Sequence, residues 1–331
     1  MQTNLISKIK DIKNNFVADM KDSNKNIRRK NKLKKFLVSF FRTFLIIGLS
    51  FIILFPIIQQ AIWGFHDPSQ VNNPAVIYIP EKWSLLNFKV ASIALDYGKA
   101  LFNTFRISLI TMLIQIFITA IAGYAFARLK FKWNKILFVF VVITIVIPPN
   151  ALMMSRRNYF TNIGLTGNEL ALYVLAFFGM GIRSGIFIYI FKSFFEGLPK
   201  ELEESAMIDG AGVFRTFWNI MLPNAKGAII TVGLFAFVWQ WNDSYYTNML
   251  QVGSKMPLLS TGLANFIENV RGLLLKPEMV QLMGSDYSKI VEYHTIVLNV
   301  AALLAMLPLL VMYLFVQKNF VESIERTGIV G

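Results

Sequence analysis

Six apolar segments, each close to twenty residues long, alternate with polar connections along this chain of 331 residues. A helix needs about 20 apolar residues to cross the hydrocarbon core of a bilayer, which is about 30 Å thick. Such segments are predicted to be helical, because irregular backbone in contact with lipid leaves its N–H and C=O groups unsatisfied. The pattern therefore predicts an all-α, polytopic integral membrane protein. The six predicted spans are residues 41–62, 107–126, 136–154, 170–190, 228–250 and 295–316.

The composition agrees with this fold class. Hydrophobic residues make up 55% of the chain and charged residues only 16%, which is too apolar for a soluble protein of this size. The net charge of +14 would suggest nucleic-acid binding in a soluble protein. In a membrane protein, Lys and Arg gather in short cytoplasmic loops, so no nucleic-acid partner is expected. The chain has no Cys and only His66 and His294, which predicts neither a disulfide framework nor a metal site.

The distribution of basic residues predicts the orientation. Residues 1–35 carry eleven Lys or Arg against three Asp, and residues 128–135 carry four basic residues and no acid. Both segments are expected in the cytoplasm, together with the C-terminus. We therefore divide the chain into a basic cytoplasmic arm (1–35), a six-helix transmembrane domain (36–318) and a cytoplasmic tail (319–331). The arm is expected to be attracted to anionic lipid headgroups.

A polar stretch, residues 197–223, stands between the fourth and fifth predicted spans. Pro199 predicts a helix start, because proline is tolerated at the first helical position. Glu201, Glu203 and Glu204 follow in the first turn, where the helix dipole favours anions. The stretch is predicted to begin with a short helix that has an acidic edge.

The second half of this stretch predicts a turn and another short helix. Residues 209–212 (Asp-Gly-Ala-Gly) are typical of a turn. Gly210 stands where a positive φ or a close backbone approach would require glycine. The following helix is predicted to end before Pro223. Together the two helices form a helix–turn–helix that lies against the membrane on its cytoplasmic side.

The spacing within this stretch is specific. Glu204-Ser205-Ala206 is followed after three residues by Gly210, after nine more by Ile220, and after one more by Leu222-Pro223. This spacing resembles the EAA loop of the permease subunits of bacterial ABC importers, with Glu-Ser-Ala in place of Glu-Ala-Ala. The alternative is a surface connector without a partner. The resemblance implies that these coupling-loop residues contact cytoplasmic ATPase subunits: Glu204, Ser205, Ala206, Asp209, Gly210, Ala211 and Pro223.

Other segments extend the resemblance over roughly residues 36–331. They are residues 123–128 (Gly-Tyr-Ala-Phe-Ala-Arg), residues 239–243 (Trp-Gln-Trp-Asn-Asp), Leu307-Pro308 and the tail from Gln317. They resemble the carbohydrate-type permeases, in particular the subunit type whose C-terminal tail extends into the ATPase dimer, as in the maltose importer.

The resemblance implies a set of partners. These are a second permease subunit, two cytoplasmic ATPase subunits, an extracellular substrate-binding protein, a sugar and the membrane lipid. The chain has no phosphate-binding G-x-x-x-x-G-K-[ST] loop, since Gly98-Lys99 is followed by Ala100. We therefore expect a transporter subunit that is not an enzyme, binds no cofactor and relies on its partners to hydrolyse ATP.

Two groups of intramembrane residues are candidates for the substrate path. Trp239, Asn242, Asp243 and Tyr246, at spacings i, i+3, i+4 and i+7, are predicted to share a helix face. Aromatic rings beside amide and carboxylate groups suit a sugar, although an aromatic belt at the outer interface is an equally open reading. Arg183, near mid-membrane, is a functional candidate or the ion-pair partner of Asp243. The candidates are Arg183, Trp239, Trp241, Asn242, Asp243 and Tyr246.

Two rival functions remain open from these residues. A secondary transporter driven by an ion gradient would need intramembrane carboxylates, of which Asp243 is the one that offers itself. Its uptake would persist without ATP and collapse with the gradient. A membrane scaffold would have no effect on uptake and would copurify with no ATPase.

Overall fold

The computed structural model describes residues 23–70, 73, 78–283 and 291–328. These residues form helices, turns and one isolated β-bridge between His66 and Trp83. The predicted all-α class is confirmed. The helices in chain order are α1 (Ser23–Gly64), α2 (Leu86–Leu95), α3 (Tyr97–Arg128), α4 (Asn134–Val146), α5 (Met153–Asn162), α6 (Leu170–Phe177), α7 (Ser184–Gly197), α8 (Glu201–Ile208), α9 (Val213–Thr216), α10 (Leu222–Asn224), α11 (Lys226–Trp241), α12 (Tyr245–Met249), α13 (Val252–Lys255), α14 (Leu259–Ala264), α15 (Phe266–Leu274), α16 (Pro277–Met283) and α17 (Val291–Gly328).

The chain forms two units, residues 1–60 and 61–331. The described part of the first unit is the N-terminal part of α1, with exposed side chains along almost its whole length. Both predicted domain boundaries fall inside helices, because α1 begins at Ser23 and α17 continues to Gly328. Residues 1–22 of the predicted arm and residues 329–331 of the predicted tail lie outside the described residues.

Three helices are continuous, apolar and long enough to cross a membrane. They cover Lys30–Gly64, Tyr97–Arg128 and Tyr293–Lys318, and they contain the first, second and sixth predicted spans. Two bent helix pairs would raise the number to five among the described residues. The polytopic class is therefore confirmed, but three of the six predicted spans are not single straight helices.

The three interrupted spans break at residues with a local physical reason. The third bends by 102° between Val146 and Pro149, because proline lacks an N–H and forces the residue before it to be extended. The fourth is broken at residues 178–183, where Gly179 and Arg183 have φ values of 67° and 58°. The fifth stops at Trp241 and resumes at Tyr245.

Helix α3 lies at the centre of the second unit and packs against α6, α7 and α11. Its contact with α7 is close, because a Cβ atom on Gly123 would lie 2.5 Å from Cβ of Phe191 and 2.9 Å from the backbone nitrogen of Lys192. A side chain at position 123 would therefore push the two helices apart. The face of α3 that is buried in this packing also carries polar residues at helical spacing: Thr104, Ser108, Thr111, Gln115 and Thr119.

The described parts of the two long connections between the predicted spans are folded. In the first, the Asn87 side chain donates hydrogen bonds to the carbonyls of Gly64 and His66, at 3.0 and 2.8 Å. These bonds fix the start of α2 to the end of α1. The second connection, after residue 250, forms the four short helices α13 to α16. Phe266 and Val270 of α15 join a buried apolar cluster with Tyr293 of α17.

Candidate functional site

We call residues 197–223 the coupling loop, after the family segment that they resemble. Its first helix, α8, begins at Glu201 rather than at Pro199. Leu198 is extended, with ψ at 145°, because it precedes a proline. This ends α7 at Gly197 and leaves Pro199 between the two helices, so the prediction that Pro199 is the first helical residue was wrong. Glu201, Glu203 and Glu204 do lie in the first turn of α8, as predicted.

Gly210 closes α8 through its backbone conformation. Its φ is +76°, and nothing lies within 4 Å of the position that a Cβ would take. Its N–H bonds to the carbonyl of Met207 at 3.0 Å, and the N–H of Ala211 bonds to the carbonyl of Ala206 at 2.9 Å. This pair of bonds is a Schellman motif, with glycine at the left-handed position. Of the two predicted reasons for a glycine, the structure supports the positive φ and not the close approach.

The second helix of the loop does not end before Pro223. After α9 the chain makes one π-helical turn, Phe217–Met221, in which the N–H of Leu222 reaches the carbonyl of Phe217. Pro223 then lies within α10, close to its start, where a proline is tolerated because the first N–H groups of a helix have no intrahelical partner. The chain bends by 79° into α11 only after Asn224.

The loop presents most of its predicted coupling residues to solvent. Glu204, Ser205, Asp209, Gly210 and Pro223 are exposed, whereas Ala206 is buried and Ala211 is half-buried. The hydroxyl of Ser205 donates to the carbonyl of Glu201 at 2.7 Å.

Large apolar side chains lie beside these residues. Ile208 is 86% exposed and Phe214 is 83% exposed, and Met207 and Val213 are also exposed. We call these four residues the apolar patch of the loop. Contiguous exposed apolar side chains that are rimmed by polar residues are typical of protein–protein contact sites.

A buried ion pair attaches the loop to α3. A guanidinium nitrogen of Arg128, at the end of α3, lies 3.7 Å from the carboxylate of Glu203, and the two side chains are 7% and 12% exposed. The same guanidinium donates to the carbonyl of Phe195, at 2.9 and 2.6 Å, and to that of Leu198. Arg128 therefore joins α3, the end of α7 and the start of α8.

This role was not predicted from the sequence for either residue. Arg128 was considered as a topological charge and as the last residue of the family-like segment 123–128, and Glu203 as one of three acids near a helix N-terminus. In a run such as Glu-Glu-Ser, nothing local distinguishes the buried carboxylate of Glu203 from the exposed carboxylate of Glu204. The signal in the sequence was Arg128 itself, a basic residue at the end of the second span. It lies on the same side of the membrane as the loop.

An aromatic cluster attaches the second half of the loop. The ring of Phe217 lies 5.2 Å from that of Tyr124 and 6.3 Å from that of Phe195, between ring centroids, and Tyr124 lies 5.7 Å from Phe195. All three side chains are buried. Together with the ion pair, this cluster holds the loop against α3 and α7.

The candidate residues of the fifth span do not share one helix face. Helix α11 ends at Trp241, and Asp243 caps α12 by accepting the N–H groups of Tyr246 and Thr247, both at 3.0 Å. The prediction of a continuous face was therefore wrong. The physical reason is that Asn, Asp and Ser side chains bond to nearby backbone and compete with the helical ladder. Asn242 follows the same rule and donates to the carbonyl of Val238 at 2.9 Å.

Three of these candidates are engaged in packing. Asp243 is buried under its capping bonds. Trp241 is buried and donates its indole N–H to the carbonyl of Ala305 at 3.2 Å. Tyr246 is also buried, and its hydroxyl accepts a hydrogen bond from Arg156 at 2.9 Å. This contact gives Arg156, which follows the third predicted span, a structural partner.

Arg183 and Trp239 contact each other. The guanidinium of Arg183 lies 5.6 Å from the centre of the Trp239 ring. The rings of Phe187 and Phe235 stack on Trp239 at 5.4 and 5.2 Å. Arg183 and Asp243 are both described by the structure, and no ion pair joins them, so the predicted alternative of a pair was wrong. Arg183 and Asn242 are exposed, and Trp239 is half-buried.

No group of three or more His, Asp or Glu residues suited to a metal ion occurs among the residues that the structure describes. Two surfaces of the described residues remain exposed: the acidic and apolar face of the loop, and the surface around Arg183 at the broken fourth span.

The described structure thus combines a helical membrane domain with a polar loop, exposed on one face, between two of its predicted spans. The family described as "Binding-protein-dependent transport system inner membrane component" matches residues 115–326, and the chain belongs to this family. It is accordingly a multi-pass protein of the cytoplasmic membrane.

The relatives agree with this membership. The chain is 29% identical over 302 residues to the maltodextrin transport system permease protein MalD of Streptococcus pneumoniae, covering 90% of this chain and 97% of that protein. It is 28% identical over 285 residues to the maltodextrin transport system permease protein MdxG of Bacillus subtilis, covering 86% and 93%. A solved chain of a bacterial ABC transporter that imports the acidic polysaccharide alginate shares the fold, with a TM-score of 0.66 at 20% identity over 87% of this chain and 98% of that chain.

Proposed function

We propose that this chain is a permease subunit of an ATP-driven ABC importer that carries a sugar or oligosaccharide across the cytoplasmic membrane. Family membership supports import with a binding protein, and the maltodextrin permeases among its relatives support the sugar. The observation that carries the proposal is the exposed face of the coupling loop, which combines Glu204 with the apolar patch.

In this proposal the coupling loop docks on an ATPase subunit. The exposed carboxylate of Glu204 accepts hydrogen bonds from the partner, and Ile208 and Phe214 enter an apolar recess. Charge-assisted hydrogen bonds contribute about 1.5–3 kcal/mol each. The ATPase partners bind and hydrolyse ATP, and this chain catalyses no step of that reaction.

The movement of the loop reaches the spans through its attachments. When the ATPase pair closes, the loop moves as a rigid body, because Arg128, Glu203 and the cluster around Phe217 join it to α3 and α7. Closely packed helices transmit such a displacement instead of absorbing it, since the interior has low compressibility. The result is alternating access of a pathway between two permeases.

The substrate path runs along the exposed surface of the broken fourth span. Arg183 needs protein or water around it at mid-membrane depth, because an arginine side chain facing lipid there is costly. Arg183 and Asn242 offer donors to sugar hydroxyls. The second permease, an extracellular binding protein and two ATPases complete the assembly, with both termini and the coupling loop in the cytoplasm.

The test is copurification and uptake. The full chain, with an N-terminal tag, is purified in mild detergent, and the ATPase that accompanies it is measured for the parent and for Glu204→Lys. We expect Glu204→Lys to insert normally but to lose most of the ATPase and the uptake of sugar. Glu278→Lys, which makes the same charge change at an exposed residue of α16, is the matched control.

Two results would overturn the proposal. One is a Glu204→Lys variant that holds the ATPase and imports sugar as the parent does, because the loop is then only a connector. The other is uptake that survives depletion of ATP but stops when the ion gradient is dissipated, because the chain is then a secondary transporter.

A further inference from the structure

Helix α3 contacts the fourth span in two different ways along its length. Toward the C-terminal end of α3 the contact is tight and apolar, because Gly123 lies directly against Phe191. Around its middle the buried face of α3 is polar, with Ser108, Thr111 and Gln115 each at most 1% exposed. The first contact is complete without any other molecule, whereas the second buries polar groups that need bonding partners.

These polar side chains have no hydrogen-bond partner among the residues that the structure describes. Two neighbouring elements add groups of the same kind. Ser184, at the start of α7, is 2% exposed, and Gln240, near the end of α11, is 4% exposed. We call the five residues the polar seam. Its unpartnered atoms are Oγ of Ser108, Oγ1 of Thr111, Oε1 and Nε2 of Gln115, Oγ of Ser184 and Nε2 of Gln240.

The packing of the fourth span brings Ser184 close to Gln115. The amide nitrogen of Gln115 lies 2.6 Å from the position that a Cβ on Gly181 would take, and Gly123 meets Phe191 farther along both elements. The two elements therefore run parallel. Ser184 follows Gly181 by one turn, since its N–H bonds to the carbonyl of Gly181 at 3.2 Å.

Helix α11 brings Gln240 to the seam from another side. A Cβ on Gly233 would lie 3.2 Å from the side chain of Ile116, and the rings of Phe237 and Phe105 lie 5.8 Å apart. Helix α11 therefore runs antiparallel to α3. Gln240 lies seven residues beyond Gly233, or about 10.5 Å along the axis, which is level with the N-terminal part of the seam.

The seam combines donors and acceptors, and this mixture limits what it can bind. The amide nitrogens of Gln115 and Gln240 only donate, the amide oxygen of Gln115 only accepts, and the hydroxyls do both. A metal cation would meet the amide N–H groups, and an anion would meet the amide oxygen. A neutral molecule that both donates and accepts suits all of them. Since every residue of the seam is at most 4% exposed, a sugar does not reach it, whereas water is small enough.

We propose that the polar seam binds ordered water molecules that bridge α3, α7 and α11. A buried water makes about three hydrogen bonds, so a few molecules satisfy the whole seam. The break at residues 178–183 adds backbone groups that lie outside α6 and α7, and ordered water is one of the means by which broken membrane helices satisfy such groups.

The water also has a consequence for the conformation of the break. Bonds to water are exchanged without leaving a buried group unpaired, which would be costly. Residues 178–183 can therefore change conformation against α3 while the dry contact at Gly123 stays fixed. The proposal concerns this chain alone, and it does not depend on the substrate or on ATP.

Polarisation transfer from water in solid-state NMR tests the proposal. The full chain is reconstituted in lipid bilayers with isotopically labelled side-chain nitrogen atoms in Gln and Trp, and the signal that water protons pass to each N–H is followed at short mixing times. We expect strong transfer to the side-chain amide of Gln115. The variant Gln115→Met assigns this signal by removing it.

The indole N–H of Trp241 is the matched control within the same sample. Trp241 is 3% exposed, but its N–H donates directly to the carbonyl of Ala305. It is therefore buried like the amide of Gln115 and already has a protein partner. We expect transfer to Trp241 to be several-fold weaker than transfer to Gln115.

Two threonines of α3 provide a second matched pair. Thr111→Val removes a hydroxyl of the seam and keeps the shape of the side chain, so the water loses a partner and transfer to Gln115 should fall. Thr104→Val makes the same change on the same helix, but the hydroxyl of Thr104 accepts the N–H of Leu259 directly at 3.0 Å. Transfer to Gln115 should be unchanged in this control.

Three results would overturn the proposal. Transfer to Gln115 as weak as transfer to Trp241 would mean that the seam is dry and that its groups bond to one another. Equal transfer to Gln115 in the parent and in Thr111→Val would mean that the seam does not hold the water. Equal losses in Thr111→Val and Thr104→Val would mean that any change in α3 disturbs this signal and that no specific site exists.

Discussion

The coupling loop and the break at residues 242–244 are both polar interruptions of the membrane helices, but only the loop leaves an acid exposed. In the loop, Glu204 is exposed on the surface and Glu203 is buried against Arg128. In the break at residues 242–244, Asp243 is buried and bonded to the backbone of α12.

The difference shows that a polar run between apolar segments has two distinct uses. An exposed carboxylate keeps its hydrogen-bonding capacity for a partner. A buried carboxylate has already used that capacity to hold the fold, because burying a charge without partners is costly. Glu203 and Asp243 therefore belong to the scaffold, although each stands beside a residue that faces outward.

The largest effect that this comparison predicts is at Glu203. Glu203→Ala leaves the guanidinium of Arg128 buried without its carboxylate, and removing one partner of a buried pair costs about 3–5 kcal/mol. We expect about 3 kcal/mol, because Arg128 retains its bonds to the two carbonyls. Glu204→Ala should change stability by less than about 0.5 kcal/mol. Unfolding of the purified chain in detergent measures both, and equal stability of the two variants would contradict the assignment.

A second prediction tests whether the carboxylate of Asp243 caps α12 or contacts the substrate. Asp243→Ala should destabilise the chain by about 1–2 kcal/mol, since it removes the cap of α12. Asp243→Asn should lose less stability than Asp243→Ala, because the single amide oxygen still accepts one of the two N–H groups. Sugar uptake by Asp243→Asn should then stay close to that of the parent. Loss of uptake at unchanged stability would show that the carboxylate contacts the substrate instead.

The turn of the coupling loop offers a matched pair of glycines. Gly210→Ala should cost about 1–2 kcal/mol, because it places a Cβ in the left-handed region. Gly212 has a φ of −75° and open space around its Cβ position. Gly212→Ala should change stability by less than about 0.5 kcal/mol, because alanine is a poorer N-cap residue but also lowers the entropy of the unfolded chain. The thermal unfolding of the two variants is compared. A larger loss of stability for Gly212→Ala than for Gly210→Ala would mean that the positive φ of Gly210 is not what stabilises this turn.

The smallest effect is expected at Ser205. Its hydroxyl bonds only to the carbonyl of Glu201, one turn earlier in the same helix, and a solvent-exposed bond of this kind contributes little. Ser205→Ala should therefore change stability by less than about 0.5 kcal/mol and leave ATPase copurification intact. A clear loss of copurification would show that the hydroxyl itself contacts the partner.

Much of the fold was predictable because its signals are local. A run of about twenty apolar residues has few alternatives to a membrane helix, so α1, α3 and α17 cover the first, second and sixth predicted spans. The acidic first turn of α8 and the left-handed Gly210 were predicted for the same reason, since dipole and φ preferences act within one turn of chain.

Hydropathy alone did not predict where the remaining spans break. Residues 178–183 and 242–244 interrupt segments that are apolar on average, and the window that detects a span cannot detect a break of a few residues. The local chemistry was present in Pro149, Gly179 and the Asn-Asp-Ser run. Whether such residues end a helix depends on whether neighbouring elements accept the freed backbone groups.

The sequence by itself determined the class of this protein and the position of the polar loop at residues 197–223. Only the tertiary structure decided which polar residues stay exposed and able to bond to a partner. Arg128 and Glu203 lie 75 residues apart in the chain and meet because α3 and α7 pack closely at Gly123. This contact forms only when α3, α7 and α8 pack together. That packing cannot be read from the presence of an arginine at position 128 and a glutamate at position 203.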